Sequence, residues 1–426
     1  MISRYPELVA VSGLGLVTSL GCGVSQTFAS LCRGENGIRE IPAWKNADFP
    51  VQVAGMPSPD ELRRFTELAP EAATYRSRKA LYAAVALQEA LAMIGSEVLA
   101  EGRGGFFLGV ETGRIDIGKL FHMFTLAGTP KGLDPVAFGE KSFRFLTAHE
   151  ALSKQPFFLP NLLSRLSGLP GETRAVSNAC SSANQAIGEA FRKVALGELD
   201  WAITGGADDM VDEYMAMGFT LLGALATGVP AELASCPFDL HRKGFVLGEG
   251  AGLLVLEPLS RVLKRGGRPL ALLSAYGSGA SASRITETTW EGIFQTMKAA
   301  LAEAGLSTDD VDYINAHGTG TPMNDPAETR AIRELLKERA RQIPVNSTKS
   351  MIGHLIAAAA AVEAVVCVQS IVEGKVHPTR NLRKADPACD LDYVVEGART
   401  LPIRHALSNS LGFAGINSTL VFSRCP

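Results

Sequence analysis

The sequence predicts an α/β protein made of two similar halves, and three observations support that prediction. Short apolar runs of strand type alternate with helical patterns along the 426 residues, an order that packs helices against sheets. The pattern begins again after residues 264–267, a short basic and glycine-rich stretch. The length fits two or three domains of ~150 residues, or one large duplicated unit. We therefore expect one half over residues 1–262 and the other over residues 263–426.

In the first half, the pattern predicts strands at residues 9–20, 105–113, 173–178, 200–205 and 250–256, with helices at residues 80–94 and 181–196. Apolar strands that alternate with helices indicate parallel sheets covered on both faces. Residues 113–159 fit neither half, and we interpret them as an insertion.

In the second half, the strand and glycine turn of residues 270–279 repeat those of residues 8–15. Residues 345–347 lead into a long helix, as residues 176–178 do before residue 181. The most apolar stretch, residues 355–371, is interrupted by Glu363 and Gln369. Because a bilayer span needs ~20 apolar residues, we interpret this stretch as a buried helix.

Composition excludes several classes of protein. The chain is 46% hydrophobic and 20% charged, which excludes a disordered protein. Forty-one Lys and Arg against 44 Asp and Glu give a net charge of −3, so the basic footprint of a general nucleic-acid-binding protein is absent. Seven scattered cysteines without a Cys-x-x-Cys pair argue against a disulfide framework or a zinc cage. They favour a reducing, cytoplasmic setting, and the first 20 residues lack the apolar run of a signal peptide.

The strongest candidate for chemistry is Cys180, in the segment Ala175-Val-Ser-Asn-Ala-Cys180-Ser-Ser-Ala-Asn. A predicted strand ends there, and a helix begins near Ser181. At such a turn, unpaired backbone N–H groups and the positive end of the helix dipole lower the pKa of a thiol and favour the thiolate. An inert buried cysteine explains the residue equally well, so this segment alone leaves both interpretations open.

Two histidines stand at similar turns. His317 lies in Asn315-Ala-His-Gly-Thr-Gly-Thr321, after the predicted strand at residues 311–314. His354 ends the segment Ser347-Thr-Lys-Ser-Met-Ile-Gly-His354, in which Lys349 precedes it by five residues. Each histidine alone is more often structural than catalytic. One cysteine and two histidines at strand-end turns of an α/β sheet form a pattern expected of a thiol acyltransferase.

A glycine-rich turn near the C-terminus completes this set. Residues 412–415, Gly-Phe-Ala-Gly, precede the predicted strand at residues 418–422, and such a turn can aim a backbone N–H at a developing oxyanion. Residues 13–15, Gly-Leu-Gly, lack the third glycine of the dinucleotide fingerprint, and no phosphate-binding P-loop or Gly-x-Ser-x-Gly motif occurs. We expect neither a bound cofactor nor a metal.

On these motifs, the chain resembles the β-ketoacyl-acyl-carrier-protein synthases, the elongating condensing enzymes of the thiolase superfamily, and is most similar to synthase II. The likeness runs through residues 9–15, 237–239, 244–252, 315–322, 346–354 and 408–417. It implies a duplicated α-β-α-β-α fold of five layers, thiolase-like, and a dimer, expected to be a homodimer. It also implies a decarboxylative condensation of an acyl group held on Cys180 with malonyl-acyl-carrier protein. The products would be 3-oxoacyl-acyl-carrier protein and CO₂, in fatty-acid or related polyketide or polyene biosynthesis, with substrates carried on the phosphopantetheine of acyl carrier protein.

The resemblance also implies a role for individual residues. Cys180 resembles the nucleophile, and His317 and His354 resemble the pair that binds the malonyl thioester and promotes its decarboxylation. Lys349 resembles the active-site lysine, and Glu363 resembles the carboxylate on the following helix. Phe413 resembles the gating phenylalanine, whose backbone N–H joins that of Cys180 in the oxyanion hole. The remaining expected roles are pantetheine contacts for Thr319 and Thr321, substrate binding for Phe219 and Thr286, and support from the acidic side chains of Asp325 and Glu328. Arg76, Arg78 and Lys79 align with a basic segment that docks the carrier, and a solvated helix start is the alternative for them.

The chain departs from the family pattern at three places. Ala414-Gly415-Ile416 replaces Gly-Gly-Thr in the gating loop, residues 278–289 lack the His-Met-Thr-Ser-Pro run, and the Thr-Leu-Leu-Gly after Phe219 lacks a carrier-binding arginine. These departures bear on the substrate range and the carrier, and they leave the chemistry intact.

Three alternatives follow. One is a catalytic subunit that forms a heterodimer with a chain-length-factor-like homologue in a specialised pathway. The second is a thiolase acting on acyl-CoA, which needs a second catalytic cysteine, whereas Cys367, Cys389 and Cys425 lie outside any glycine-rich turn. The third, a non-catalytic chain-length factor, would lack the nucleophile.

Overall fold

The computed structural model describes residues 5–114, 116–282, 284 and 287–426. Its strands, in chain order, are β1 (Val9–Thr18), β2 (Gly21–Cys22), β3 (Ile38–Glu40), β4 (Val53–Gly55), β5 (Gly104–Gly109), β6 (Gly128–Thr129), β7 (Gly132–Leu133), β8 (Glu172–Val176), β9 (Trp201–Asp209), β10 (Glu249–Pro258), β11 (Ala271–Ala280), β12 (Tyr313–Asn315), β13 (Val345–Asn346), β14 (Lys375–Val376), β15 (Arg399–Thr400), β16 (His405–Gly412) and β17 (Ile416–Ser423).

The helices are α1 (Val24–Cys32), α2 (Pro42–Asn46), α3 (Pro59–Leu68), α4 (Pro70–Ala73), α5 (Arg78–Ala92), α6 (Ile117–Ala127), α7 (Pro135–Ser142), α8 (Ala148–Ser153), α9 (Phe158–Ser167), α10 (Ser182–Ala195), α11 (Glu213–Leu221), α12 (Leu259–Lys264), α13 (Trp290–Ala304), α14 (Asn324–Leu336), α15 (Lys349–Ile352) and α16 (Ala359–Glu373). Short 3₁₀ turns lie at Ser96–Leu99, Thr308–Asp310, Lys337–Arg339, Ile356–Ala358 and Phe413–Gly415.

Two five-stranded arrays of the same topology form the central sheet. The first runs β1-β10-β9-β5-β8 and the second β11-β17-β16-β12-β13. In each array the first two pairings are antiparallel and the last two are parallel. The arrays join where β1 pairs with β11. This correspondence supports the predicted repeat, because β8 and β13 are the equivalent strands that precede Cys180 and Lys349.

Helices complete five layers. Helices α5 and α9 pack on the outer face of the first array, α10 and α16 lie between the arrays and contact both, and α13 and α14 cover the outer face of the second. Small residues allow the helices of the middle layer to pack closely against the strands. A Cβ added at Gly109 of β5 would lie 2.3 Å from the backbone nitrogen of Ala183 in α10. The layered α-β-α-β-α order is therefore as predicted.

The prediction of parallel sheets is wrong in part. Strand β10 runs antiparallel to both of its neighbours, β1 and β9. A continuous apolar run reports that a strand is buried on both faces, but it carries no information on direction. Residues 113–159 form α6, α7 and α8 with the β6–β7 hairpin, outside the central sheet.

The apolar stretch near residue 360 is a core helix. Among the described residues, Ile356–Glu373 is the one helical segment long and apolar enough to span a membrane, and most of it is buried inside the protein. Its neighbours are strands of both arrays, so the prediction of a buried helix is confirmed.

Candidate active site

Three loops bring a cysteine and two histidines together at the carboxyl ends of the parallel strands. Cys180 follows β8, His317 follows β12, and His354 follows β13 and the short helix α15. Because the carboxyl ends of parallel strands meet at one edge of a sheet, side chains placed there converge. The two arrays face each other across α10 and α16, so one array supplies the thiol and the other supplies both imidazoles.

The three side chains are close enough to act on one substrate. The Sγ of Cys180 lies 3.0 Å from Nε2 of His354. The centroids of the two imidazole rings are 5.2 Å apart, and the ring planes are nearly perpendicular, with an interplanar angle of 83°. All three ligand-type atoms lie within 4.8 Å of one another. They line a cavity of about 340 Å³ that also touches Thr319, Thr321 and Phe413.

Hydrogen bonds fix the tautomer of each histidine. The backbone N–H of Ile356 donates to Nδ1 of His354 at 3.2 Å, and Nζ of Lys349 donates to Nδ1 of His317 at 3.2 Å. Since Nδ1 accepts in both rings, the proton of each neutral imidazole sits on Nε2. The site therefore presents two N–H donors to whatever occupies the cavity.

Burial keeps both imidazoles neutral. Burial holds the pKa of His317 and of His354 well below the ordinary value, and the charge of Lys349 lowers both further. Neutral rings in a water-poor cavity are strong donors to a developing oxyanion, because little solvent competes for it.

The thiol of Cys180 does not have the lowered pKa that its turn predicts. Burial raises the pKa of Cys180 to about 12, although the charge of Lys349 acts in the opposite direction. Cys180 is almost wholly buried, so the cost of burying a thiolate exceeds the stabilisation from the start of α10. The expectation of a resting thiolate is corrected accordingly.

Lys349 and Glu363 form a buried ion pair behind His317. Nζ of Lys349 donates to Oε1 of Glu363, and both side chains are at most 2% exposed. Burial raises the pKa of Glu363 to about 7, while Lys349 lowers it. Glu363 therefore holds the ammonium group of Lys349 in the position from which it donates to His317.

Two buried carboxylates anchor the His317 loop from below. The oxygens of Glu328 accept the backbone N–H groups of His317 and Gly318, each at 2.9 Å. Asp325 accepts the N–H of Gly320 at 3.2 Å and that of Phe238 at 2.8 Å. Both residues therefore hold the loop through its backbone, and neither lines the cavity.

The turn that carries Cys180 is held from two sides. Ser410 donates to the carbonyl of Cys180 at 2.7 Å, which ties the turn to β16. On the other side, Glu111 accepts the N–H of Ala179 at 3.1 Å and the hydroxyl of Ser177 at 2.8 Å. Ala179 has a positive φ of 49°, a conformation that costs a non-glycine residue roughly 1–2 kcal/mol. Glu111 was missed from the sequence, although a charged residue directly after a buried strand was a usable signal.

Phe413 forms one wall of the cavity. Its ring stacks on Phe219 with centroids 6.1 Å apart and planes 19° apart. The following residue, Ala414, has a positive φ of 60°. Thr319 and Thr321 line the same cavity, and their hydroxyls are 3.0 Å apart. Thr286 lies outside the described residues.

The basic segment predicted to dock a carrier is mostly built into the protein. Arg78 donates to the buried carboxylate of Glu249, with Nε at 3.0 Å. Lys79 is buried and donates to the backbone carbonyl of Glu111. The docking prediction is therefore wrong for Lys79, whose charge is used internally. Arg78 is paired, but its side chain is 38% exposed, and its docking role stays a prediction. Arg76 is exposed, 3.9 Å from Glu150.

Cys180, His317 and His354 also have the spacing of a metal ligand set. A metal binds the unprotonated nitrogen of an imidazole. Here Nδ1 of each histidine already accepts a hydrogen bond, and Nε2 carries the proton. The tautomers therefore suit hydrogen-bond donation better than metal binding.

The chain is similar to known proteins over its full length. Residues 7–261 match the family model "Beta-ketoacyl synthase, N-terminal domain", and residues 270–383 match "Beta-ketoacyl synthase, C-terminal domain". It is 34% identical to 3-oxoacyl-[acyl-carrier-protein] synthase 2 of Staphylococcus aureus (strain COL), with 98% of each chain covered.

Solved structures agree with this similarity. The ishigamide ketosynthase/chain length factor is 32% identical with a TM-score of 0.85, and the match covers 99% of this chain and all of that one. A ketosynthase in complex with its type II PKS acyl-carrier protein is 28% identical with a TM-score of 0.82, again over 99% of this chain and all of that one. The predicted thiolase-like fold is confirmed by these neighbours.

Proposed function

The chain belongs to the β-ketoacyl synthase family, and from that premise we propose that it catalyses the decarboxylative condensation of an acyl group on Cys180 with malonyl-acyl-carrier protein. One observation carries the proposal. The Sγ of Cys180 lies 3.0 Å from Nε2 of His354, and His317 is close enough to donate to the same small group. The product is 3-oxoacyl-acyl-carrier protein, with CO₂ released. The proposed division of the two halves is residues 1–262 and 263–426.

The first step is acyl transfer. The Sγ of Cys180 attacks the thioester carbonyl of the acyl-carrier substrate, and the carrier sulfur leaves. The proton of the Cys180 thiol ends on that sulfur, so the step needs no external acid or base. The net exchange leaves one thiol protonated before and after, and the attacking species is the thiolate, which the charge of Lys349 favours and burial opposes.

The second step is decarboxylation of the malonyl group. Loss of CO₂ leaves an enolate whose negative charge lies on the thioester oxygen. Nε2–H of His317 and Nε2–H of His354 donate to this oxygen. Removal of one such donor typically costs 10²–10³ in rate.

The third step joins the two chains. The enolate carbon attacks the acyl carbonyl on Cys180, and the sulfur leaves and takes up one proton. We assign the oxyanion of this addition to the backbone N–H groups of Cys180 and Phe413. A hydrogen bond from Ser181 supports this assignment. The hydroxyl of Ser181 donates to the backbone carbonyl of Ser410 at 3.0 Å, which ties the Cys180 turn to the strand that leads to Phe413.

The substrates are carried by a protein. The curated relative acts on acyl-carrier-protein substrates by its name, and a solved neighbour holds its carrier. In this chain Thr319 and Thr321 line the cavity in front of Cys180, and we assign them to the phosphopantetheine arm. Phe219 acts through its stack on Phe413, as part of the gate. We also propose a substrate-binding role for Thr286, no bound cofactor, and a cytoplasmic location.

A second subunit is the remaining part of the proposal. Strand β8 pairs with β5 on one side, and its other edge is open in the described chain. Nearby in sequence, α6 and α7 expose Phe121 and Val136, and Phe143 just after them is 87% exposed. Large exposed apolar surfaces of this kind mark protein interfaces. We propose a homodimer through the open edge of β8. A heterodimer with a chain-length-factor-like homologue is the second candidate, favoured by the ishigamide neighbour.

Native mass separates these assemblies. The purified chain should run at twice 45.1 kDa if it is a homodimer. A monomer that doubles its mass only with a homologous partner would favour the heterodimer.

A thiolase acting on acyl-CoA is less well supported. That reaction needs a second cysteine beside the nucleophile. Among the described residues, the lining of the cavity contains no cysteine other than Cys180. Cys367 is buried within α16, and its sulfur is directed to the carbonyl of Leu407 at 4.0 Å.

Intact-mass measurement tests the function. Incubation with a panel of acyl-loaded carrier proteins should add one acyl group, and added malonyl-carrier should then release a product two carbons longer. Cys180→Ala should show neither mass shift nor product. Elongation by Cys180→Ala would overturn the assignment of the nucleophile.

A further inference from the structure

Two surface loops join beside the cavity and carry cations. Asp239, which is buried, accepts the backbone N–H groups of Arg383 and Lys384, each at 2.7 Å. The N–H of Leu240 donates to the carbonyl of Lys384 at 2.9 Å. Residues 239–243 and 383–385 therefore form one continuous surface.

This surface is attached to the wall of the cavity. Nε of Arg242 donates to the carbonyl of Thr321 at 3.0 Å, and the N–H of Gly244 donates to that of Gly320 at 3.0 Å. Thr321 and Pro322 line the cavity that leads to Cys180. Lys243 is exposed and lies between these two attached residues, which places it next to the cavity wall.

The cations on these loops are not neutralised. Lys243, Arg383 and Lys384 are exposed, and within residues 5–114, 116–282, 284 and 287–426 none of them forms an ion pair. The nearby acids are occupied: Asp239 is buried under backbone donors, and Asp386 pairs with Arg242 at 2.6 Å. We call Lys243, Arg383 and Lys384 the rim cations. They place net positive charge beside the opening.

Apolar side chains also lie at the opening, together with one exposed acid of the cavity lining, Glu287. Leu222 and Met323 both line the cavity, and both are more than half exposed to solvent. An opening that is apolar and flanked by positive charge fits a partner surface that is acidic and also carries apolar side chains.

We propose that the rim cations dock the acidic face of the acyl carrier protein during substrate delivery. The proposal rests on the proposed function, in which a tethered thioester must pass this opening to reach Cys180. Acyl carrier proteins are acidic, whereas the chain as a whole carries a net charge of only −3, so attraction needs a local patch. The rim cations supply it in place of Lys79, whose charge is used internally.

The test compares two charge-reversed double variants that each change one lysine and one arginine. Lys243→Glu/Arg383→Glu alters the rim. Lys264→Glu/Arg268→Glu is the matched control, because both residues are exposed and lie at or after α12, which follows β10 at the end of the strands opposite Cys180. Each variant and the wild type are mixed with hexanoyl-loaded acyl carrier protein or with hexanoyl-N-acetylcysteamine. The rate of acylation of Cys180 is followed by intact mass at low and high salt.

The rim variant should be acylated by the carrier substrate roughly 10-fold more slowly at low salt, since steering acts on the association rate. High salt should shrink this difference. Its reaction with the small thioester should be unchanged, and the control variant should match the wild type with both substrates. Equal loss in the control, equal loss with the small thioester, or no loss at all would overturn the docking proposal.

The wild type separates this proposal from the proposed function. If both substrates acylate the wild type and the rim variant reacts at the same rate, only the docking proposal is overturned. Acylation by the small thioester alone removes the carrier as partner and keeps Cys180 as nucleophile. No acylation by either substrate removes the proposed function itself.

Discussion

The buried pair behind His317 allows a quantitative prediction. Lys349 donates to Glu363 and to Nδ1 of His317, and both members of the ion pair are at most 2% exposed. Lys349→Met leaves the carboxylate of Glu363 buried without its cation. Removal of one partner from a buried ion pair costs about 3–5 kcal/mol, and we expect a loss of this size in the free energy of unfolding.

The loss should depend on pH in a defined direction. Burial places the pKa of Glu363 at about 7 in the folded protein, and Lys349 lowers it. Without Lys349 the folded pKa rises further above the ordinary value of a glutamate. A carboxyl group with a raised folded pKa stabilises the fold below its unfolded pKa, and that stability is lost as the pH rises through the folded value. Lys349→Met should therefore be much closer to wild type at pH 6 than at pH 9.

Urea unfolding followed by circular dichroism measures this effect at both pH values. The double variant Lys349→Met/Glu363→Gln is the control, because it removes the stranded charge and keeps the shape of the side chain. It should recover most of the stability at pH 9 without recovering condensation, since His317 still lacks its orienting donor. A single variant with the same loss at pH 6 and pH 9, or a double variant no more stable than the single one, would refute the reasoning.

Three further predictions concern the reacting groups. Cys180→Gln should lose condensation, as a carrier-thioester assay would show, yet still release CO₂ from malonyl-carrier protein, because both imidazole donors remain. His317→Ala and His354→Ala should each slow condensation about 10²–10³-fold while acyl transfer to Cys180 continues, measured by product formation and by intact mass; normal condensation would remove that histidine from the mechanism. Glu111→Gln should shift the pH profile of iodoacetamide alkylation of Cys180 to lower pH, because burial and then the Glu111 charge raise the pKa of that thiol. An unshifted profile would show that Glu111 acts on the turn alone.

The layered fold was predictable because its signals are local. The apolar run that became β1 and the alanine-rich run that became α16 are both long enough to identify without knowledge of their partners. The direction of β10 was not predictable in this way. It depends on which edge of the sheet the chain returns to, and that is set by loops rather than by the strand residues.

The geometry of the site was partly predictable for a similar reason. His317 and Lys349 follow the neighbouring parallel strands β12 and β13, so their meeting at one end of the second array was predictable. Cys180 follows β8 of the first array, and its meeting with them depends on how the two arrays pack, which local patterns do not report. The pairing of Arg78 with the buried Glu249 was not visible, because the two residues are 171 positions apart in the sequence. The raised pKa of Cys180 was missed for the same reason, since burial is a property of the assembled protein.

The pairing of β1 has a consequence for biosynthesis. Val9 precedes its partner in β10, Pro258, by 249 residues and its partner in β11, Leu273, by 264 residues. Such separated pairings fold slowly, and an apolar strand with two open edges is prone to aggregate. The strand must therefore wait for more than half of the chain to be translated before it is covered on either side. N-terminal fragments that end before β10 should therefore be recovered in insoluble form.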